Sequence, residues 1–457
     1  MTATEQTIDV QPRQVGQRAA TATRTKVAYV MSRFPKLTET FILYEILALE
    51  QQGLQVELYP ILRARNTANH PEGASLWKKL LERVSNPQGA IVMHPEAAPL
   101  VERAHYLPFL SWPILRAQLH FLLRKPGAYL GALSALMRAN WGSANFLVGA
   151  LGIFPKIVYF AELMQADGVQ HVHAHFANHP AAAAFIIQRL TGIPYSFTAH
   201  GADLQVDQHM LREKVAEAAF VVTISDYNRN LIIEVCGEYC RDKVVVIHCG
   251  VDTQVFQADA GEVATKPAAG TFAILCTGTM YEVKGHTFLI EACRLLNERG
   301  VDFVCHLVGD GPDRAALTEQ VEQAGLAERI LFHGQRTRAE IVALLQEVDV
   351  VAVPSIPTDS GRREGIPVVL MEAMASGAPV VASGISGIPE LVEDEVGGLL
   401  VPPRDPQALT DALIRLHGDP ALRRRLGQAG RDKVVREFDL VTNAAALAQR
   451  FSKEARR

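Results

Sequence analysis

The chain has 457 residues, of which 48% are hydrophobic and 21% charged, and it carries a formal net charge of −4. This length accommodates two domains, each with its own core, and the composition is that of a soluble globular protein. The slightly acidic balance excludes a general nucleic-acid binder, and the lack of any charge-free run of 18 apolar residues predicts no transmembrane helix.

In chain order, residues 1–24 are polar and rich in Thr, Gln and Ala, which predicts a disordered leader and no signal peptide. "KVAYVMS" (Lys26–Ser32) reads as a first strand, "TFILYEILALEQQG" as a helix closed by Gly53, and "QVELYPI" as the next strand. From Arg103 to Ala161 there is no Asp or Glu, while Arg103, Arg116, Arg124, Lys125, Arg138 and Lys156 stand among many aromatics. Such a segment suits either basic helices lying on an anionic membrane surface or ordinary helices packed inside the first domain.

"VQHVHAHF", "PYSFTAH", "FVVTIS" and "KVVVIHCGVD" follow as short strand-like runs with polar or Gly ends, where ligands gather in open α/β sheets. His171, His173 and His175 alternate along the first of these and so share one face, a pattern that could ligate zinc. A loose stretch, Thr253–Gly270, places a boundary between a domain at 25–255 and a second at 268–430, with 431–457 as a terminal helix able to return to the first. The second series alternates again: "FAILCTG", "HTFLIEACRLLNERG", "FVCHLVGDGP", "RAALTEQVEQAG", "RILFHGQ", "RAEIVALLQEV", "VVAVPS", then "PVVAS" and "GGLLVPP". The expected fold class is α/β, two Rossmann-like doubly wound domains facing across a cleft. Cys236, Cys240, Cys249, Cys276, Cys293 and Cys305 form no C-x-x-C pair, so reduced, mostly buried thiols of a cytosolic protein are expected.

The segment "EGIPVVLMEAMASGAPVV" (Glu364–Val381) is strongly apolar yet carries two glutamates eight positions apart. Pro367 suits the first turn of a helix and Gly377 its stop, so a short buried helix is expected to begin just after Glu364 with Glu372 in its second turn. Eight helical residues rise about 12 Å. Buried carboxylates need partners, either internal cations or a polar ligand. "TGTMYEVKG" (Thr277–Gly285) follows a strand and opens a helix, a place where backbone amides approach phosphates and where Lys284 can neutralise them. No G-x-x-x-x-G-K-[ST] occurs, and in "VGDGPDR" Arg314 stands where a dinucleotide fingerprint needs its third glycine.

The run "VPS…EGIPVVLMEAMASGAPVVAS…GIPELV…GGLLVPPRDPQAL", with its E-x7-E pair, resembles the signature of retaining family 4 glycosyltransferases of GT-B fold. "FPKLTETFILYEILALEQQG", "HVHAHFANHPAAAA" and "PYSFTAHGADL" are similar to bacterial exopolysaccharide (colanic-acid-type) members. The resemblance implies a hexosyltransferase using a nucleotide-diphosphate sugar, with no metal or other cofactor and no nucleic-acid partner. It implies that Glu364 holds a hydroxyl of the donated sugar, that Lys284 stabilises the departing diphosphate, and that His200 faces the donor sugar. Glu372 would accept from the ribose, with Gly278, Thr279, Gly309, Gly311, Gly365, Ile366 and Pro367 around the donor and the base near Ile330–Gln335. Glu39, in "LTETF", is an acceptor contact or simply a charge at a helix start. Thr279 stands where the family usually has Arg; either Arg362 or Arg363 supplies the missing charge, or the donor is held more weakly. The implied acceptor is a lipid-linked oligosaccharide in exopolysaccharide assembly, reached from the cytoplasm by a protein peripheral to the inner membrane face. A small soluble acceptor and nucleotide-sugar epimerisation are the alternatives.

Overall fold

The computed structural model describes residues 25–35, 39–63, 95–107, 111–205, 208–257 and 270–456. The leader expected at 1–24 and residues 258–269 of the loose stretch lie outside the described residues.

The first half opens with β1 (Lys26–Phe34), α1 (Thr40–Gln51) and β2 (Gln55–Arg63). Helices α2 (Ala98–Arg103), α3 (Trp112–Arg124), α4 (Pro126–Ala139) and α5 (Ala144–Ala166) follow. Next come β3 (His171–His175), α6 (His179–Thr191), β4 (Tyr195–Ala199), α7 (Leu211–Glu217), β5 (Phe220–Thr223), α8 (Asp226–Cys236) and β6 (Val244–Val246). All six strands pair in parallel in the order β2-β1-β3-β4-β5-β6. β3 and β4 are buried at every position, as strands covered by helices on both faces must be.

The second half contains β7 (Phe272–Thr277), α9 (His286–Glu298), β8 (Phe303–Val308), α10 (Arg314–Gln323), β9 (Ile330–Gly334), α11 (Arg338–Glu347) and β10 (Val350–Val353). It continues through α12 (Val368–Ala375), β11 (Val380–Ser383), β12 (Leu399–Val401), α13 (Pro406–Gly418), α14 (Pro420–Glu437) and α15 (Leu440–Glu454). Its sheet is also parallel, in the order β12-β11-β10-β7-β8-β9. Each sheet therefore reverses direction of growth once, between β1 and β3 in the first and between β7 and β10 in the second. Loops leaving neighbouring strands at such a point run apart and open a crevice at the carboxyl ends.

The chain ends on the first half. Leu440, Leu447 and Phe451 of α15 share a core with Val27, Tyr29 and Met31 of β1. The Phe451 ring lies 5.2 Å from the His171 ring and 5.1 Å from that of His173.

Helix α5 departs from the sequence expectation. Its span Phe146–Ala166 is long and apolar enough to cross a membrane by length and composition, because a window that tolerates Lys156 and Glu162 passes where a charge-free one does not. One face, including Phe154, Ile157, Phe160 and Met164, packs into the core of the first half. Lys156 is buried there, donates to the Ile61 carbonyl at 2.7 Å, and is lowered by burial to a pKa of about 8.

Candidate active site

Lys284 and Glu364 come from the loops that follow β7 and β10, the two strands flanking the switch point of the second sheet. Lys284 Nζ donates to Glu364 Oε2 at 2.8 Å, and both side chains are largely shielded, 22% and 17% exposed. The alternative of an internal cation for Glu364 and the alternative of a ligand site thus meet in one pair, because the cation is the lysine expected to face phosphate. Glu372 has no ion pair among the described residues. Burial pushes its carboxyl up to about 7, against the opposing pull of Arg338. Arg338 itself covers the ring of Tyr44 at 4.2 Å and reaches Asp252 at 3.6 Å.

The helix expected just after Glu364 starts later. Pro367 is its N-cap residue in extended conformation (ψ 129°), and α12 begins at Val368. Glu364, Gly365 and Ile366 approach in non-helical backbone, so the 12 Å helical span does not describe the separation of the two glutamates. Part of the reason is local: the ring of Pro367 pushes Ile366, the residue before it, out of the helical region, and Pro367 N offers no donor that would close a turn. Glu372 does fall in the second turn of the helix.

Gly309 and Gly311 seat the loop after β8 on the loop after β7. Gly309 has φ +133°, and a Cβ there would lie 2.0 Å from the Gly278 carbonyl oxygen; at Gly311 it would lie 2.4 Å from that of Met280. Their contact is with backbone that carries Gly278 and Thr279. Next to that loop, the Arg362 guanidinium stacks over the Tyr281 ring at 5.7 Å, bringing a positive charge two residues from Thr279. Arg363 reaches instead across to the Tyr227 hydroxyl at 3.4 Å.

The first half contributes a buried chain of hydrogen bonds from its own switch point. Tyr29 of β1 donates to Glu45 Oε1 at 2.7 Å, and His175 Nε2 lies 3.1 Å from the same oxygen. His175 Nδ1 lies 3.1 Å from His200 Nε2, and His200 Nδ1 faces the Cys249 thiol at 3.8 Å. With Glu45 ionised, the tautomers follow in sequence: His175 donates from Nε2, so its Nδ1 accepts from His200, whose Nδ1 is left as an acceptor. Burial, then repulsion from His175, holds the His200 imidazole well below its usual pKa, so it is neutral near pH 7.

His171, His173 and His175 do share one face of β3. Ser196 bonds His171 at 2.7 Å and His173 at 2.8 Å, and Thr198 bonds the other nitrogen of His173 at 2.9 Å. Among the described residues, the ligand atoms of Glu45, His173 and His175 approach within 4.8 Å of one another. Both ring nitrogens of His173 are already engaged by hydroxyls, so the cluster reads as a cross-strand ladder; His171 is held neutral by burial, its pKa down to about 3.

The two halves touch where these sets end. A Cβ on Gly365 would lie 2.6 Å from the His200 carbonyl oxygen, and one on Gly201 would lie 3.5 Å from Gly365 Cα. Beside Gly201 the side-chain amide of Asn228 is buried with neither its oxygen nor its nitrogen hydrogen-bonded. Glu390 of the second half closes the seam, accepting from the backbone N–H groups of Asp226 (2.7 Å) and Tyr227 (2.8 Å) at the start of α8. Glu39 is the N-cap residue of α1.

Glu45, Asn228, Arg338 and Glu390 escaped the sequence reading. Only Glu45 left a trace there: it is the acid on the helical face formed by the buried Ile42, Ile46 and Leu49.

Two parallel six-stranded domains that meet beside the Lys284–Glu364 pair form the GT-B architecture of glycosyltransferases, and the family matches agree with it. Residues 271–419 match the family described as glycosyl transferases group 1, and residues 144–255 match glycosyltransferase family 4. The chain is 30% identical over 303 residues to the 2-deoxystreptamine glucosyltransferase of Streptomyces kanamyceticus, covering 62% of this chain and 76% of that protein. It is 29% identical over 405 residues to the putative colanic acid biosynthesis glycosyltransferase WcaL of Escherichia coli K12, covering 85% of this chain and 89% of that one. Anabaena Alr3699/HepE, solved in complex with UDP, shares the fold with a TM-score of 0.66 at 17% identity, over 94% of this chain and all of that chain (100%). The chain belongs to glycosyltransferase family 4.

The Glu390 contact carries a testable consequence. A carboxylate on a helix N-terminus is worth about 1–2 kcal/mol, so Glu390→Ala is expected to lower kcat about 5- to 30-fold by weakening closure. Nucleotide affinity should be nearly unchanged. Steady-state kinetics beside calorimetric titration separate the two, and an unaltered kcat would show that the contact has no part in closure.

Proposed function

We propose that this enzyme moves a hexose from a nucleotide-diphosphate donor to a saccharide acceptor with retention of anomeric configuration. The observation that carries the reading is the Lys284–Glu364 pair at 2.8 Å, set against the His200–Gly201 turn of the opposite half. On donor binding, Lys284 turns to the diphosphate and Glu364 accepts from a hydroxyl of the sugar, so each charge exchanges its partner for a ligand group. The acceptor hydroxyl attacks the anomeric carbon on the face the diphosphate leaves. The bond from that carbon to the phosphate oxygen breaks, and the hydroxyl proton passes to the departing oxygen. The protein supplies alignment and charge stabilisation, the latter from Lys284 in place of a metal ion.

In the same reading Glu372 accepts from the ribose, Gly278 and Thr279 line the diphosphate with Arg362 nearby, and neutral His200 accepts from the sugar. Gly309 and Gly311 hold the diphosphate loop, Gly365, Ile366 and Pro367 flank the sugar, and Glu39 meets the acceptor. The unpaired Asn228 amide offers one donor group and one acceptor to a hydroxyl in the seam. Likeness along most of the chain to WcaL, a putative colanic acid biosynthesis glycosyltransferase, supports a place in exopolysaccharide assembly, and the acceptor in this reading is a lipid-linked oligosaccharide.

Calorimetry with UDP, GDP and ADP, on the wild type and Glu372→Ala, tests the donor half. One nucleotide is expected to bind without added metal and to be lost in the variant. Proton NMR of the product from the matching sugar donors then reads the anomer. Inversion, or transfer abolished by EDTA, would overturn the mechanism.

A further inference from the structure

Helices α3, α4 and α5 pack together on the first half and leave an apolar face outward. In α3 the buried stripe is Ile114, Ala117 and Phe121, yet the opposite face is apolar as well. Trp112, Leu115 and Leu119 recur there at helical spacing, followed by Leu123. Trp112, Leu123, Trp141 and Val148 are each 70% exposed or more. Of the seventeen exposed large hydrophobics among the described residues, ten lie between Trp112 and Leu151, so this is a patch and not scatter.

Its charge selects the occupant. The patch lies inside the stretch Arg103–Ala161, which contains no Asp or Glu. Arg116, Arg124 and Arg138 are exposed among the leucines. Arg116 meets Glu162 at 3.2 Å, whereas Arg124 and Arg138 make no ion pair among the described residues. A two-fold contact between copies of this chain would bring Arg124 and Arg138 together with no carboxylate in the segment to answer them. An anionic lipid surface answers them all, and its interface accepts the leucines below and the tryptophans at headgroup level.

We infer that the α3–α5 face is a docking surface for an anionic lipid bilayer. The proposal stands apart from the donor and acceptor chemistry above and fails or survives without it. The full-length protein is mixed with vesicles of phosphatidylcholine alone, or with about a third phosphatidylglycerol, and sedimented. Binding is expected only to the anionic vesicles, and raising salt towards about 1 M should release most of it. Arg124→Gln and Arg138→Gln should each weaken binding about fivefold. Trp112→Ser with Leu123→Ser should weaken it further while the far-UV circular dichroism stays that of the wild type, since both side chains are exposed. Light scattering is run in parallel. No binding to anionic vesicles overturns the proposal, whether the protein is a monomer or a dimer; a dimer broken by Trp112→Ser with Leu123→Ser would assign the face to self-association. Equal binding by all variants would also overturn it.

Discussion

Lys284→Ala is expected to lower kcat about 10²- to 10³-fold, as removal of a preorganised charge facing a departing anion does. Glu364→Gln should reduce kcat/KM by a similar order, because the amide keeps the shape but loses a charged acceptor for the sugar hydroxyl. The two changes differ in their effect on folding. Lys284→Ala leaves the shielded Glu364 carboxylate without the partner it holds at 2.8 Å, so the melting temperature should fall. In the double variant Lys284→Ala, Glu364→Gln that uncompensated charge is gone. Its melting temperature should recover most of the loss while its activity stays at the level of the worse single variant. Thermal melts and steady-state rates on the four proteins of this cycle measure both. Additive losses in activity would show that the two side chains act on separate parts of the donor.

The second expectation concerns pH. Burial raises the Glu372 carboxyl from its ordinary 4.5 to about 7, with Arg338 opposing the shift. Between those values the folded protein holds a proton that the unfolded chain has released. Stability therefore falls as pH rises through this window, by up to about 3 kcal/mol, and is unaffected by this group below pH 4.5. Nucleotide binding should run the other way. A ribose diol donates to a carboxylate far better than to a neutral acid, so affinity should rise as pH passes through about 7. Glu372→Gln should flatten both profiles, raising stability at pH 8 relative to wild type while weakening nucleotide binding there. Melting and calorimetric titration at pH 5.5 and 8 give the comparison. A pH dependence of binding that persists in Glu372→Gln would assign it to another group.

Much of the second domain's candidate site was legible because its parts are short and local. The alternation of apolar runs with helical patterns shows two doubly wound halves, and small residues after strands show where the loops come close. Glu364 and Glu372 stand out as carboxylates in an apolar run. Other features needed distances that no pattern encodes. Glu45 and His175 are 130 positions apart and meet because α1 follows β1 while His175 ends β3, the strand placed beside β1. Asn228 looks like an ordinary residue in a helical first turn until the seam deprives its amide of partners. The late start of α12 was hidden for a different reason: proline is common in the first turn of a helix, so its presence at 367 does not reveal that the helix waits until Val368.

Periodicity and residue type are properties of neighbours along the chain, and so the sequence by itself determined the α/β class, the glycosyltransferase signature, and the acid-free apolar segment. Strand order and the closing of two domains on each other are settled by packing among residues hundreds of positions apart. Only the tertiary structure, therefore, decided that Glu364's cation is Lys284, that His200 is aligned through His175 and Glu45, and that the leucines of α3 face outward.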